Sequence, residues 1–461
     1  MALALLGALL VAPAARAQGT SDAYFEFLMA RRLEAMGDMA GAQAALERAA
    51  RADTRSAEVW AELAAFHLRR SQPEEAERAA KSSLAIAEDN VEAHRSLGLV
   101  YAGYTESNGA PSAQQKAYVA DAITHLERAS AGPSGASDLI LNYTLGRLYL
   151  RNGAADKAVQ SLTRSLNQNP GSLQIRLALA QAFAASDDLP GAVRTLDEIV
   201  EDEPRVAAPL ALYQEQSGLL AEAAASYTKA LAVQPMNREL KFRRIAALQA
   251  AKSYGQAASF AADARRQHPE DARFPRLQGR AVFDNGDRSG GIAVLEGAVR
   301  TFPKDVATHY DLADVYRDAG RAPDAERALR QILAIEPGHA NALNYLGYLL
   351  ALRGGQLDEA VQLVQRALDT DPSNGAFLDS LGWVHFRRGD FVEAEKYLTA
   401  AAERLPRNSE VHDHLGDAHA SRGRWQEAIG AWTRALDGDR EDVDLAGIQR
   451  KIGDARLRVG R

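Results

Sequence analysis

The sequence predicts an all-α protein, a superhelical α–α solenoid of about twelve helix-turn-helix units closed by a C-terminal capping helix. Three observations predict it. Prolines recur at Pro170, Pro204, Pro235, Pro269, Pro303, Pro337, Pro372 and Pro406, at intervals of 34, 31, 34, 34, 34, 35 and 34 residues. Small residues keep the same beat, one series running from Ala158 to Ala428 and another from Gly146 to Gly416. The composition, 25% charged and 7% aromatic with alanine and leucine dominant, favours helix throughout. A chain of 461 residues is too long for one ordinary globular domain, and the period makes it an array.

The elements follow in order. Ala2 to Val11 is an apolar stretch, followed by Pro13 and Ala15-Arg16-Ala17 before Gln18. That is the pattern of a secretory signal peptide cut after Ala17, although no basic residue precedes the apolar stretch. It is too short to span a bilayer, and no cysteine follows it to carry a lipid anchor. Residues 18–204 are expected to form a first lobe of five units and 205–437 a second lobe of seven, with 438–461 as the cap. The first three units are anchored on Ala42, Ala76 and Ala122, and the third carries a long loop near 103–117, including Thr105 to Pro111. The interval of 31 residues before Pro235 removes about a turn from the first helix of unit six and is the expected bend between lobes. In the last segment Leu445, Ile448, Ile452, Ala455 and Val459 form one apolar stripe, suited to covering the open end of a solenoid.

Each repeated residue has a physical reason. A small residue late in helix A and an alanine early in helix B let the two helices approach closely. Proline cannot continue a helix interior, so it ends helix B. Glycines such as Gly320, Gly389 and Gly423 fit the turn between the helices, where a left-handed residue caps helix A. The stretch from Leu378 to Pro406, with Leu381-Gly382, Ala394, Ala401 and Pro406, resembles the tetratricopeptide (TPR) repeat closely. The units at 344–351, 378–384 and 412–418 resemble those of long bacterial envelope members of that family. Some of those present substrates to a processing protease and carry a lipid-anchoring cysteine, which this sequence lacks.

The resemblance implies that helix A lines a groove, chiefly at its second, fifth, ninth and twelfth places. Those places present a basic segment, Arg273, Arg276 and Arg280. An aromatic segment follows, with Tyr310, Asn344, Tyr348, Trp383 and Phe386, and then an acidic one, Asp379, Glu410, Asp413 and Asp417. Arginine and large aromatics are the residues that carry interface energy. Trp383 falls outside the inter-helix packing places and is expected on the open face. The lysine–asparagine set of the carboxylate clamp and the asparagine ladder of sugar-transferase arrays are both missing.

The remaining chemistry is sparse. The chain has no cysteine, which excludes disulfides, thiolate metal sites and cysteine nucleophiles. The balance of 54 basic and 61 acidic residues, net −7, argues against a nucleic-acid binder. His412 and His419, in the stretch from Val411 to His419, occupy aromatic packing places, and nothing completes a zinc ligand set. No catalytic or phosphate-binding motif occurs. The expectation is a non-enzymatic scaffold or adaptor without cofactor or metal, periplasmic or secreted, that binds proteins or extended peptides in its groove. A structural part in a secretion or polysaccharide-export assembly and a cytoplasmic scaffold are the alternatives.

Overall fold

The computed structural model describes residues 4–105, 112–132, 134–440 and 443–459, with side chains from residue 20 onward. The tip of the loop at 106–111 lies outside the described residues, and the residues around the expected cleavage site after Ala17 are described only as helical backbone. Among the described residues there are 25 α-helices and no strand, running as twelve hairpins and one last helix.

The first six hairpins are α1 (Ala4–Ala35) with α2 (Met39–Ala52), α3 (Ala57–Arg69) with α4 (Pro73–Ile86), and α5 (Val91–Tyr104) with α6 (Ala113–Ser130). They continue with α7 (Leu139–Arg151) and α8 (Ala155–Gln168), α9 (Leu173–Ala185) and α10 (Leu189–Asp197), and α11 (Ala207–Gln216) and α12 (Leu220–Val233). The next six are α13 (Arg238–Ala250) with α14 (Tyr254–Gln267), α15 (Arg273–Asp284) with α16 (Arg288–Thr301), and α17 (Val306–Asp318) with α18 (Ala322–Ile335). The series ends with α19 (Ala340–Arg353) and α20 (Leu357–Thr370), α21 (Gly375–Arg388) and α22 (Phe391–Arg404), α23 (Ser409–Ser421) and α24 (Trp425–Asp437), and then α25 (Leu445–Val459). The chain divides into two compact units, Met1–Pro235 and Met236–Arg461.

The proline beat is also a capping beat. Pro170, Pro235, Pro303, Pro337, Pro372 and Pro406 are each followed two residues later by the residue that caps the next helix A. These caps are Ser172, Asn237, Asp305, His339, Asn374 and Asn408, whose side chains accept from backbone N–H groups of the first turn. Such a cap is worth about 1 kcal/mol. Within a hairpin the small residue of helix A is required by contact. A Cβ on Gly146, Gly279 or Gly382 would lie 2.4–2.6 Å from the Cγ of Leu162, Leu295 or Leu398. Each of those leucines is one turn beyond the anchoring small residue of helix B. Eight glycines of the hairpin turns, Gly320, Gly389 and Gly423 among them, take positive φ.

The short interval has two consequences. α11 has only 10 residues, and α10 stops after 9. Asp197, Glu198, Glu201, Asp202 and Glu203 crowd the end of α10, where negative charge opposes the helix dipole. A 3-10 turn at Pro204–Val206 fills the gap and buries Val206 against the neighbouring helices. The boundary between the compact units lies at 235/236, about one repeat after the 204/205 boundary expected from this interval.

At the other end α25 packs on α24 through Ile448, Ile452 and Ala455, against Ala428, Trp432 and Ala435. Val459, expected on the same stripe, is exposed, so the packed stripe ends a turn earlier.

Candidate functional site

A cleft of about 480 Å³ opens in the second unit, lined by residues of four successive A helices and their caps. From α17 come Tyr310, Asp314 and Arg317, at steps of four and three that place them on one face. From α19 come Asn344, Tyr345 and Tyr348, from α21 Asp379, and from α23 Glu410. The caps Asn374 and Asn408 close its rim.

The floor is a hydrogen-bonded network. The Tyr348 hydroxyl donates to Glu410 Oε1 at 2.7 Å. His414 Nδ1 lies 3.0 and 3.2 Å from the two carboxylate oxygens of Asp379, and its Nε2 is 3.9 Å from Glu410. Burial pulls the His414 imidazole down, but Asp379, with Glu410 and Asp413 beyond it, more than reverses this and leaves it raised. One face of that ring stacks on Trp383 at 4.0 Å, and Trp383 stacks in turn on Phe386 at 4.9 Å. Tyr310 and Tyr345 approach to 5.8 Å between centroids. Burial pushes the Tyr310 phenol and the Asp314 carboxyl up.

Five of the expected groove residues, Tyr310, Asn344, Tyr348, Asp379 and Glu410, thus meet in one cleft. The others are placed differently. Arg273 pairs with Asp271 at 2.8 Å and Glu239 at 3.0 Å, Arg276 with Asp311 at 3.0 Å, and Arg280 with Asp284 at 3.0 Å. The basic segment is therefore a row of ion pairs. Asp413 and Asp417 both accept from Lys451 of α25, at 2.8 and 2.9 Å, so the acidic segment seats the last helix. Trp383 is not an open-face residue. It is half-buried between Phe386 and His414, and its buried indole N–H has no hydrogen-bond partner. The open-face expectation fails because α23 brings a flat ring against it, a contact that no repeat position encodes.

Asp314, Arg317 and Tyr345 line the cleft, His414 backs it through Asp379, and all four escaped the sequence reading. The first two are visible as the partners of Tyr310 at four and seven residues. The other two sit at the sixth place of helix A, which the repeat pattern does not mark as groove-facing. Of the remaining histidines in that stretch, His412 Nε2 contacts the Pro406 carbonyl at 3.0 Å and His419 faces Glu395 at 3.6 Å, both buried between helices.

Residues 276–326, 310–375 and 380–442 match one tetratricopeptide-repeat family model, and 149–215 match another. The chain is a tetratricopeptide-repeat protein. Over 135 residues it is 30% identical to a TPR repeat-containing protein of Pseudomonas aeruginosa, a match that covers 29% of this chain and 23% of that relative's length. Among solved structures, yeast Tom70 is 14% identical and matches 95% of both chains with a TM-score of 0.45. The Cut9–Hcn1 hetero-tetramer of APC/C is also 14% identical and matches 95% of this chain and 90% of that one, with a TM-score of 0.42. PilW, a type IV pilus biogenesis factor, is 20% identical over 41% of this chain and 86% of its own, with a TM-score of 0.38. A tetratricopeptide-repeat array is a protein–protein interaction scaffold. No helix among the described residues is long and apolar enough to cross a membrane.

Proposed function

We propose that this tetratricopeptide-repeat protein is a non-catalytic adaptor that binds a polypeptide segment in the cleft formed by α17, α19, α21 and α23. One observation carries the reading. Four successive A helices deliver aromatic and polar side chains to one concave cleft, and the buried Asn344 Oδ1 in it lacks a hydrogen-bond partner. An extended chain supplies backbone N–H groups at intervals suited to such acceptors, and tyrosine rings supply contact area at little conformational cost. The adaptor acts in the bacterial envelope after cleavage behind Ala17, a proposal supported by the apolar stretch and the Ala15-Arg16-Ala17 pattern.

The test is a crosslinking pull-down from envelope fractions with the parent and with Tyr310→Ala and Tyr348→Ala. Each substitution is expected to weaken captured partners by about 1–3 kcal/mol, the range for interface anchors. Unchanged capture by folded variants would move the binding site out of this cleft. Amino-terminal sequencing of the mature protein is expected to begin at Gln18, and recovery of Met1 from a cytosolic fraction would end the envelope reading.

A further inference from the structure

We propose that the cleft is a receptor for a cationic side chain, a guanidinium or ammonium group, so that the bound polypeptide is selected for arginine or lysine. This rests on the binding reading above and gives it a chemistry.

The cleft presents a buried unpaired oxygen and several carboxylates. Asn344 Oδ1 is buried and has no partner. The Tyr345 hydroxyl belongs to a residue only 8% exposed and is directed at the Asp314 carboxylate, which it reaches only loosely. Three carboxylates, Asp314, Asp379 and Glu410, line the cleft, against the Arg317 guanidinium and the His414 imidazole paired with Asp379 behind it. Asp379 and Glu410 are each engaged on one side, by His414 and by the Tyr348 hydroxyl, but a carboxylate has about four lone-pair sites and these contacts do not exhaust them. The strongest pairing of Arg317 is with Asp318 at 3.1 Å, and it reaches Asp314 only at 3.9 Å.

The aromatic rings fit the same ligand. Tyr310, Tyr345 and Tyr348 line the cleft with faces that attract a cation. The cleft already holds one such contact, since the Arg317 guanidinium sits 5.4 Å from the Tyr345 ring centroid. Burial pushes the Asp314 carboxyl up even with the Arg317 guanidinium and the Tyr345 hydroxyl lowering it. Other side chains fit poorly. An acidic one meets three carboxylates, and an apolar one leaves the Asn344 oxygen buried and unpaired.

The test uses the full chain and short, acetylated and amidated Gly-Ser peptides with one central arginine, citrulline or glutamate, titrated calorimetrically at low salt. Citrulline keeps the shape of arginine and removes its charge. The arginine peptide is expected to bind at least about tenfold more tightly than the citrulline peptide, and the glutamate peptide not at all. Asp314→Asn and Glu410→Gln are expected to weaken arginine binding about fivefold or more and citrulline binding by less, while the melting temperature stays as in the parent. Equal affinity for the arginine and citrulline peptides, a preference for glutamate, no binding of any peptide, or indifference to both variants overturns the proposal. Spermidine is titrated in parallel. If it binds and the arginine peptide does not, the cleft is a site for a free amine and the peptide assignment fails. The pull-down with Tyr348→Ala separates the two readings. Lost partners combined with indifference to peptide charge would leave the adaptor standing and sink the cation receptor. Retained partners would sink the adaptor reading of this cleft.

Discussion

Ser71, Asp187 and Lys252 sit in turns between helix A and helix B with φ of 55–60°, where other hairpins use glycine. A side chain in the left-handed region crowds its own backbone, at a cost of about 1–2 kcal/mol. Lys252→Gly is therefore expected to raise stability by about 1 kcal/mol in denaturant unfolding, and Gly389→Ala, at φ 88°, to lower it by a similar amount. A loss of stability in Lys252→Gly would show that its side chain does more than tolerate the turn. His414 gives a second test at this scale. Its folded pKa is raised, so its contribution to stability is fully present below the unfolded value of about 6.5 and is lost as pH rises through the folded value. The parent is expected to lose melting temperature across that window, and Asp379→Asn, which removes the partner at 3.0 Å, to lose less. Parallel pH profiles for the two proteins would show that the pair is not coupled to folding.

Helices pair here because small residues let them touch, and one hairpin is enough to test that. In α21 and α22 a Cβ on Gly382 meets Leu398 Cγ at 2.6 Å, its Cδ2 at 3.0 Å and its backbone nitrogen at 3.1 Å, so the leucine has little room to retreat. Gly382→Ala is expected to cost about 1–3 kcal/mol, the range for overpacking, with part of that recovered on adding Leu398→Ala. Strict additivity of the two substitutions in a double-mutant cycle would contradict the contact. The last helix is a second case. α25 covers Trp432 and supplies Lys451 to Asp413 and Asp417, and burial holds the Asp417 carboxyl up even with Lys451 beside it. Removing residues 442–461 is expected to speed amide exchange in α23 and α24 while exchange in α15 to α20 stays unchanged, because stability in a repeat array is a sum over neighbours. Uniform loss of protection through the second unit would show longer-range cooperativity.

For the chain as a whole, the two compact units, each with its own core, predict unfolding that a single transition does not describe. Gly146→Val in the first unit and Gly382→Val in the second are expected to move different parts of the calorimetric profile, and a profile that shifts as one peak with either would exclude independent units. The array itself was legible in one dimension. Its period, its twelve hairpins, the small residues and the final helix depend on neighbours at fixed spacing, and each repeat states the same requirement again. The cleft was legible only in part. Tyr310, Asn344, Tyr348 and Asp379 share repeat positions, which is why register alone finds them. What register does not carry is the partner each side chain meets across hairpins, because residues about 35 or 62 apart share no local pattern. Asp379 meets His414, Tyr348 meets Glu410, Trp383 lies between Phe386 and His414, and Lys451 claims Asp413 and Asp417. By itself the sequence determined the repeats and offered candidate groove side chains on helix A. The tertiary structure decided which of those side chains are spent on ion pairs and stacking and which remain open to a partner, since burial and pairing are set by what the neighbouring hairpin brings within about 4 Å.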